Sequence, residues 1–141
     1  MAETGDIAKH DQQDVYQKIF EEISEAIIGV DRECRIVLAN RAVENVFGWT
    51  PEEVIGQPLE MLIPERFRHV HETHVSRFSR DAKKSKYMGK TSAAVAGLHK
   101  DGREISLGTT ILRATARDGT ALFVAVLRDI SERMRYMRQI E

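Results

Sequence analysis

The amino-acid sequence predicts an α+β fold, in which a five-stranded antiparallel sheet carries helices on one face and a further helix flanks it at each end of the chain. Two Asp-Gly pairs, Asp101-Gly102 and Asp118-Gly119, separate three extended stretches in the second half, which is the pattern of consecutive hairpins. Two shorter apolar runs around a polar turn at residues 31–33 predict another hairpin in the first half. Helical signals fall together between the second and third strands, which favours α+β over an alternating α/β arrangement.

The composition limits the classes of protein that the chain can represent. Its 141 residues are 42% hydrophobic and 30% charged, which is typical of one globular domain. With 21 Lys+Arg against 22 Asp+Glu the formal net charge is -1, which disfavours a nucleic-acid binder that works by neutralising phosphates. The single cysteine, Cys34, excludes an internal disulfide and a cysteine-based zinc site. A polar start and short apolar runs predict no secretory signal, no membrane span and a cytoplasmic location.

The first segment is predicted to be a tail followed by a helix. Residues 1–13 are expected to be flexible, and residues 14–25 to form an amphipathic helix with Asp11 or Asp14 as its N-cap. An apolar stripe follows helical spacing at Tyr16, Phe20, Ile23 and Ile27. The stripe has two interpretations: the helix packs on its own domain, or it pairs with a second subunit in a homodimer.

The next segment predicts a hairpin and a short helix. The two strands are Ala26–Val30 and Arg35–Ala39. Asn40 is the expected N-cap of a helix over Arg41–Phe47, because asparagine is among the best N-cap residues. The helix is expected to end at Gly48, since glycine accepts the left-handed conformation that commonly ends a helix.

Proline and capping signals divide the following segment into short helices before one long helix. Thr50 precedes Pro51, and Glu53 stands at the position that completes a capping box. The long helix is predicted over residues 64–80. A charged, solvated loop is expected to follow it over residues 81–86.

Three extended stretches complete a core that is predicted to span residues 26–130. They are Tyr87–Leu98, Glu104–Ala114 and Thr120–Arg128. Residues 131–141 then predict the start of a C-terminal helix, capped by Asp129 or Ser131, that continues into a further domain of a longer protein. An apolar seam runs into this helix through Leu127, Ile130, Met134 and Met137.

Four strings of residues, in order, resemble a PAS domain, the sensory module of bacterial signalling proteins. They are AIIGVDRECRIVLANRAVENVFGWTPEEVIGQ, LIPERF, HKDGREISL and FVAVLRDISER, and the resemblance covers about residues 18–133. It implies a sheet curled over a pocket that the helices between strands two and three close. It also implies terminal helices that pair across a dimer and relay a change to an attached output domain, such as a kinase or cyclase. The chain itself carries no catalytic motif and is expected not to be an enzyme.

Two histidines on the apolar face of the long helix, His71 and His74, have two interpretations. They are pocket-edge histidines satisfied by backbone or water, or one of them binds haem iron. The stretch PERFRHVHETH is similar to the FixL-type and Dos-type oxygen-sensor PAS domains, and counting from Pro64 makes His71 the matching iron ligand of a haem b. Those sensors carry an arginine where this chain has Ser92 or Ala93. Because this chain departs from the family pattern at that position, redox state and gases other than oxygen remain open as signals beside oxygen.

The candidate pocket walls besides the histidines are Tyr87, Met88, Ile111, Leu122, Val124 and Val126. Flavin is a second cofactor candidate. Leu59 stands where light-sensing relatives carry their reactive cysteine, so only non-covalent flavin binding remains open. The alternative function is a ligand-free dimerisation or interaction module with a filled pocket, whose interface is formed by Tyr16, Phe20, Ile23, Met134 and Met137.

Overall fold

A computed structural model of the chain describes residues 8–68, 86–88 and 95–133. Within these ranges every strand pairing is antiparallel, and all the strands belong to one sheet. The strands are β1 (Ala26–Val30), β2 (Ile36–Ala39), β3 (Lys86–Met88), β4 (Val95–Leu98), β5 (Glu104–Thr115) and β6 (Ala121–Asp129). Their spatial order is β2-β1-β6-β5, with β3 and β4 both along the far edge of β5. The predicted α+β fold with five strand positions is confirmed.

The third predicted strand consists of two segments rather than one. Met88 pairs with Thr109, whereas Val95 pairs with Leu107, so the two segments pair with β5 in different registers. The single stretch predicted over Tyr87–Leu98 is therefore wrong. The other two stretches and the first hairpin match β5, β6, β1 and β2 closely.

The turns and short helices follow from local sequence. Gly102 and Gly119 have φ of 93° and 89°, which is the left-handed conformation that an Asp-Gly turn requires. Helix α2 (Ala42–Phe47) ends at a left-handed Gly48, as predicted. Helix α3 (Pro51–Val54) begins with the predicted capping box, in which Thr50 and Glu53 each accept the other's backbone N–H.

The N-terminal helix α1 (Lys9–Glu22) starts and ends earlier than the sequence suggested. Its N-cap position is Ala8, which has no capping side chain, so neither Asp11 nor Asp14 caps it. The helix stops at Ile23 because that residue is extended, with φ -64° and ψ 145°. Within the described part of the chain no helix is long and apolar enough to cross a membrane.

Asn40 has a different role from the predicted N-cap, because tertiary partners occupy both ends of its side-chain amide. Its Oδ1 accepts the Ile27 backbone N–H at 2.9 Å, and its Nδ2 donates to the carbonyls of Phe20 and Glu25, each at 2.9 Å. The residue is 0% exposed. Asn40 thus joins the end of α1 to the first strand of the sheet.

The hydrophobic core lies between one face of the sheet and the helices that follow β2. We call this the inner face. It carries Ala26, Ile28 and Val30 of β1 and Phe123 and Leu127 of β6, which pack with Val43, Phe47, Val54 and Leu62. The opposite side of the sheet is the outer face. Successive strand residues alternate between the two faces, and directly opposed residues share a face.

Two groups of predicted residues lie outside the described ranges. They are the residues of the long helix beyond Arg68, with His71 and His74, and the C-terminal residues Met134 and Met137. Residues 131–133 are helical, which agrees with the predicted start of the C-terminal helix.

Candidate ligand site on the inner face of the sheet

The central strand β5 presents Thr109, Ile111 and Arg113 on the inner face. Its register with β6 places these residues opposite Leu127, Ala125 and Phe123, respectively. Leu127 and Phe123 belong to the core, and Ala125 packs against it. The inner-face assignment of the three β5 residues therefore follows from direct strand pairing.

Thr109 is a polar side chain in an apolar position. It is 4% exposed, and its Oγ1 has no hydrogen-bond partner within the described part of the chain. Its inner-face neighbours along β5 are Leu107 and Ile111, and its cross-strand neighbour is Leu127. A buried hydroxyl without a partner costs about 1–3 kcal/mol relative to a satisfied one. A partner supplied from outside the protein would remove this cost.

Arg113 places a positive charge at the end of the same inner-face row. Its guanidinium carbon lies 5.8 Å from the centroid of the Phe123 ring, and the side chain is half-buried. Among the described residues no carboxylate forms an ion pair with it. The inner face of β5 therefore combines apolar side chains, one buried hydroxyl and one cation that has no acidic partner among the residues the structure describes.

Three of the predicted pocket residues lie on the other side of the sheet. Val126 is opposite Ile27 and Thr110, and Val124 is opposite Gly29, none of which is an inner-face residue. Leu122 follows the same alternation along β6. The role predicted for Leu122, Val124 and Val126 as walls of the inner-face pocket is therefore wrong, because the pleat turns them to the outer face.

Of the remaining predicted pocket residues, Ile111 lies on the inner face, opposite Ala125. The backbone register places Met88 opposite Thr109 and Tyr87 opposite Thr110. His71 and His74 fall in the part of the chain that the structure leaves undescribed. The predicted roles of Tyr87, Met88, His71 and His74 in the pocket stay predictions.

Sequence reasoning missed Thr109 and Arg113, although a signal was present. Thr109 and Thr110 are adjacent in a strand, so only one of them can face the core side. Arg113 likewise interrupts an otherwise apolar stretch near Ile111 and Leu112. The sequence could not show which threonine points inward, because that depends on the register with β6.

An open groove of about 540 Å³ is lined mostly by charged residues. It is lined by Pro64, Glu65, Arg66, Arg68, Leu98 and Glu104. Arg66 donates two hydrogen bonds to the carboxylate of Glu104, one of them at 2.6 Å, and this contact lowers the pKa of Glu104 and raises that of Arg66. Arg68 donates to the carbonyls of Glu60 and Ile63. A ligand in this groove would have to displace existing bonds.

The end of the sheet is hydrogen-bonded to the first residues of the C-terminal helix. The Ser106 carbonyl on β5 accepts the Ile130 N–H at 2.8 Å, and the Ser106 N–H donates to Ser131 Oγ at 3.0 Å. The Ser131 N–H donates to Asp129 Oδ1 at 2.9 Å, so Asp129 caps the start of this helix as predicted. The strand that carries Thr109 is therefore directly joined to the C-terminal segment.

The predicted dimer residues are divided between α1 and the sheet. None of the side chains of α1 is buried, and Val15, Tyr16 and Ile19 are 47%, 65% and 54% exposed. Phe20 and, just beyond the helix, Ile23 are half-buried. Ile27 is not part of the helical stripe, because it lies in β1 opposite Val126. Ile130 is half-buried at the end of β6.

The described residues contain no cluster of three or more His, Cys, Asp or Glu side chains that could hold a metal ion. A haem group would need only one protein ligand and would not produce such a cluster. Its candidate ligand, His71, lies outside the described residues.

Comparisons with known proteins agree with this architecture. The PAS fold family matches residues 15–130. The chain is 28% identical over 125 residues to the sensor protein FixL of Bradyrhizobium diazoefficiens, covering 89% of this chain and 24% of that protein. It is 31% identical over 104 residues to the oxygen sensor protein DosP of Escherichia coli, covering 74% of this chain and 13% of that protein. The chain thus spans a quarter or less of the length of each of these two proteins.

A solved structure shows the same fold. The crystal structure of a PAS domain from Colwellia psychrerythraea superposes with a TM-score of 0.72 at 22% identity, covering 86% of this chain and 99% of that one. The family match covers the inner-face strands and ends at Ile130, directly before the first residues of the C-terminal helix. The chain therefore belongs to the PAS family and is a sensory domain related to FixL and DosP.

Proposed function

We propose that this PAS domain binds a small ligand on the inner face of its sheet and relays the bound state to an output domain of a longer cytoplasmic protein. The observation that carries the proposal is the continuity of β5. This strand presents Thr109 to the inner face and is hydrogen-bonded through Ser106 to Ile130 and Ser131 at the start of the C-terminal helix. A ligand that favours one position of β5 would therefore bias the helix.

Haem b is the first cofactor candidate. The inner-face residues of the described strands fit a flat, mainly apolar group that carries acid substituents, since between the strand-end residues Thr115 and Asp129 they are apolar except for Thr109 and Arg113. His71 would hold the iron, and the group would supply a redox-active, gas-binding centre. Flavin, held without a covalent bond, is the second candidate and has the same apolar and acidic character.

An absorption spectrum of the purified protein, before and after addition of haemin, tests the haem proposal. We expect a Soret band that shifts on reduction and is lost in His71→Ala. His69→Ala is the matched control, because the sequence places His69 on the opposite face of the predicted helix, and this variant should keep the band. A Soret band that survives His71→Ala, or no band after haemin is added to the wild type, would refute iron ligation by His71.

The relay is tested at the junction rather than at the pocket. Ser131→Ala removes the hydroxyl that accepts the Ser106 N–H. We expect faster hydrogen exchange at Ser106 and an altered ligand response of the C-terminal helix, while ligand affinity changes less than about twofold. Glu132→Ala, at an exposed neighbouring position, is the control. Unchanged exchange at Ser106 in Ser131→Ala would contradict the relay.

Dimerisation is a second candidate function, and the surface of α1 supports it. A helix of 14 residues is marginal alone in water, and no side chain of α1 is fully buried. A second α1 offers a matching stripe of Val15, Tyr16 and Ile19, which would bury these apolar side chains in a homodimer. Ile19→Glu should therefore give a monomer in analytical ultracentrifugation, whereas Gln17→Glu, which adds the same charge elsewhere on α1, should not. A wild-type protein that is monomeric at micromolar concentration would refute this role.

A further inference from the structure

The inner face of β5 carries two polar groups whose binding capacity the described residues leave unused. Thr109 Oγ1 is buried and has no partner among the described residues, and Arg113 has no acidic partner there. The two residues lie on the same face of one strand, four residues apart, so their Cα atoms are separated by about 13 Å. This is within the length of a medium-sized cofactor.

The surroundings of these two groups determine what kind of molecule would satisfy both. Between and beside them the inner face offers Ile111, Ala125 and Leu127, which are apolar. Burial of a hydroxyl among such residues is unfavourable unless the hydroxyl is hydrogen-bonded. An arginine at the edge of an apolar surface is suited to bind a carboxylate or phosphate group. A fully apolar ligand would leave both groups unsatisfied.

We propose that Thr109 and Arg113 define the ligand class of this domain: a mainly apolar small molecule with an acid group, held by Arg113, and a hydrogen-bonding atom held by Thr109. The inference rests on the proposed function, in that the ligand occupies the inner face. It goes further by assigning two specificity residues and by excluding neutral ligands of the same shape as good binders. Haem and flavin both belong to this class, so the proposal covers either cofactor.

The Thr109 part of the proposal makes a prediction for the ligand-free protein. Thr109→Val keeps the shape of the side chain and removes the unsatisfied hydroxyl, so it should raise the melting temperature by about 2–6 °C. Thr110→Val is the matched control, because Thr110 lies next to it on the outer face. Thr109→Ser keeps a hydroxyl at the same position. A lower melting temperature for Thr109→Val would mean that the hydroxyl has a structural partner, and would overturn its ligand role.

The binding test uses two pairs of probes that differ only in their acid groups. These are FMN against riboflavin, and haemin against haemin dimethyl ester, titrated by flavin fluorescence and by Soret absorption. We expect the wild type to bind at least one acid-bearing probe and to bind its neutral counterpart about tenfold more weakly. Thr109→Val should weaken the acid-bearing probe about 3- to 10-fold, whereas Thr109→Ser and Thr110→Val stay within about twofold.

Arg113→Gln should weaken the acid-bearing probe about tenfold and remove the difference between it and the neutral probe. Equal weakening of both probes would show a structural role for Arg113 and overturn the assignment. The proposal is also overturned if Thr109→Val binds as tightly as the wild type, or if the wild type binds none of the probes. A flavin complex that depends on Thr109 and Arg113, with no Soret band, would refute haem while supporting this inference. A Soret band that requires His71 but neither Thr109 nor Arg113 would support haem binding and refute this inference.

Discussion

Replacing Asn40 by alanine provides the sharpest test of how α1 is joined to the sheet. The side chain is completely buried, and its amide makes three hydrogen bonds to backbone groups: the N–H of Ile27 and the carbonyls of Phe20 and Glu25. No other residue in the described part of the chain contacts the end of α1 and β1 through three such bonds. Asn40→Ala removes all of them and leaves the partners in place.

The expected loss of stability follows from what each partner can do afterwards. The Ile27 N–H belongs to a half-buried strand residue, and leaving it without an acceptor costs about 1–3 kcal/mol. The carbonyls of Phe20 and Glu25 belong to half-buried residues near the surface and can turn to water, so each loss costs about 0.5 kcal/mol. The free energy of unfolding should therefore fall by about 2–4 kcal/mol.

Urea denaturation followed by circular dichroism measures this change. Asn45→Ala is the matched control, because Asn45 is exposed on α2 and should change the free energy of unfolding by less than about 0.5 kcal/mol. Asn40→Asp should be as damaging as Asn40→Ala at neutral pH, since a carboxylate cannot donate to the two carbonyls. A loss below about 0.5 kcal/mol for Asn40→Ala would refute the assigned hydrogen bonds.

Two further predictions concern the edge of the sheet. The Arg66 contact lowers the pKa of Glu104, so Glu104 contributes stability above its unfolded pKa, and this contribution disappears as pH falls through its folded pKa. The urea midpoints of wild type and Arg66→Gln should therefore differ at pH 7 and converge between about pH 5 and pH 3, and parallel curves would contradict the linkage. Gly97→Ala should lower the free energy of unfolding by about 1–3 kcal/mol in the same assay, because the added Cβ would lie 2.6 Å from Leu107 Cδ1 and 3.1 Å from Phe47 Cε1 in the core. An unchanged urea midpoint would contradict this prediction and show that the core side chains move to accept the methyl group.

Local sequence signals were enough to predict much of the fold. Three features match the structure: the Asp-Gly turns, the capping box at Thr50 and the helix end at Gly48. Each depends only on residues that are a few positions apart in the sequence. Asn40 shows where this reasoning stops. An asparagine before a helix is a good N-cap, but here residues from α1 and β1 compete for the same amide, and sequence spacing contains no information on them.

The site was harder to predict because it depends on which face each strand residue occupies. Ala121–Leu127 is apolar at every position, so the alternation that normally separates core from surface is absent. Leu122, Val124 and Val126 were chosen from this run, but register turns them to the outer face and leaves Phe123, Ala125 and Leu127 inside. The polar residue Thr109, which breaks the pattern on the neighbouring strand, was the more informative signal.

The energetics limit what a ligand on β5 can do by itself. Converting a two-state equilibrium from 1:99 to 99:1 requires about 5.5 kcal/mol of difference in ligand affinity between the two states. One hydrogen bond at Thr109 supplies about 1 kcal/mol, and a charge-assisted contact at Arg113 about 1.5–3 kcal/mol. These two contacts alone therefore shift the populations of the two positions of β5 only in part. The Ser106–Ser131 hydrogen bond depends on the position of β5 and changes only to the same extent. A complete switch must draw the remaining energy from apolar contacts with Ile111 and its neighbours, so truncating Ile111 should reduce the size of the response even where binding persists.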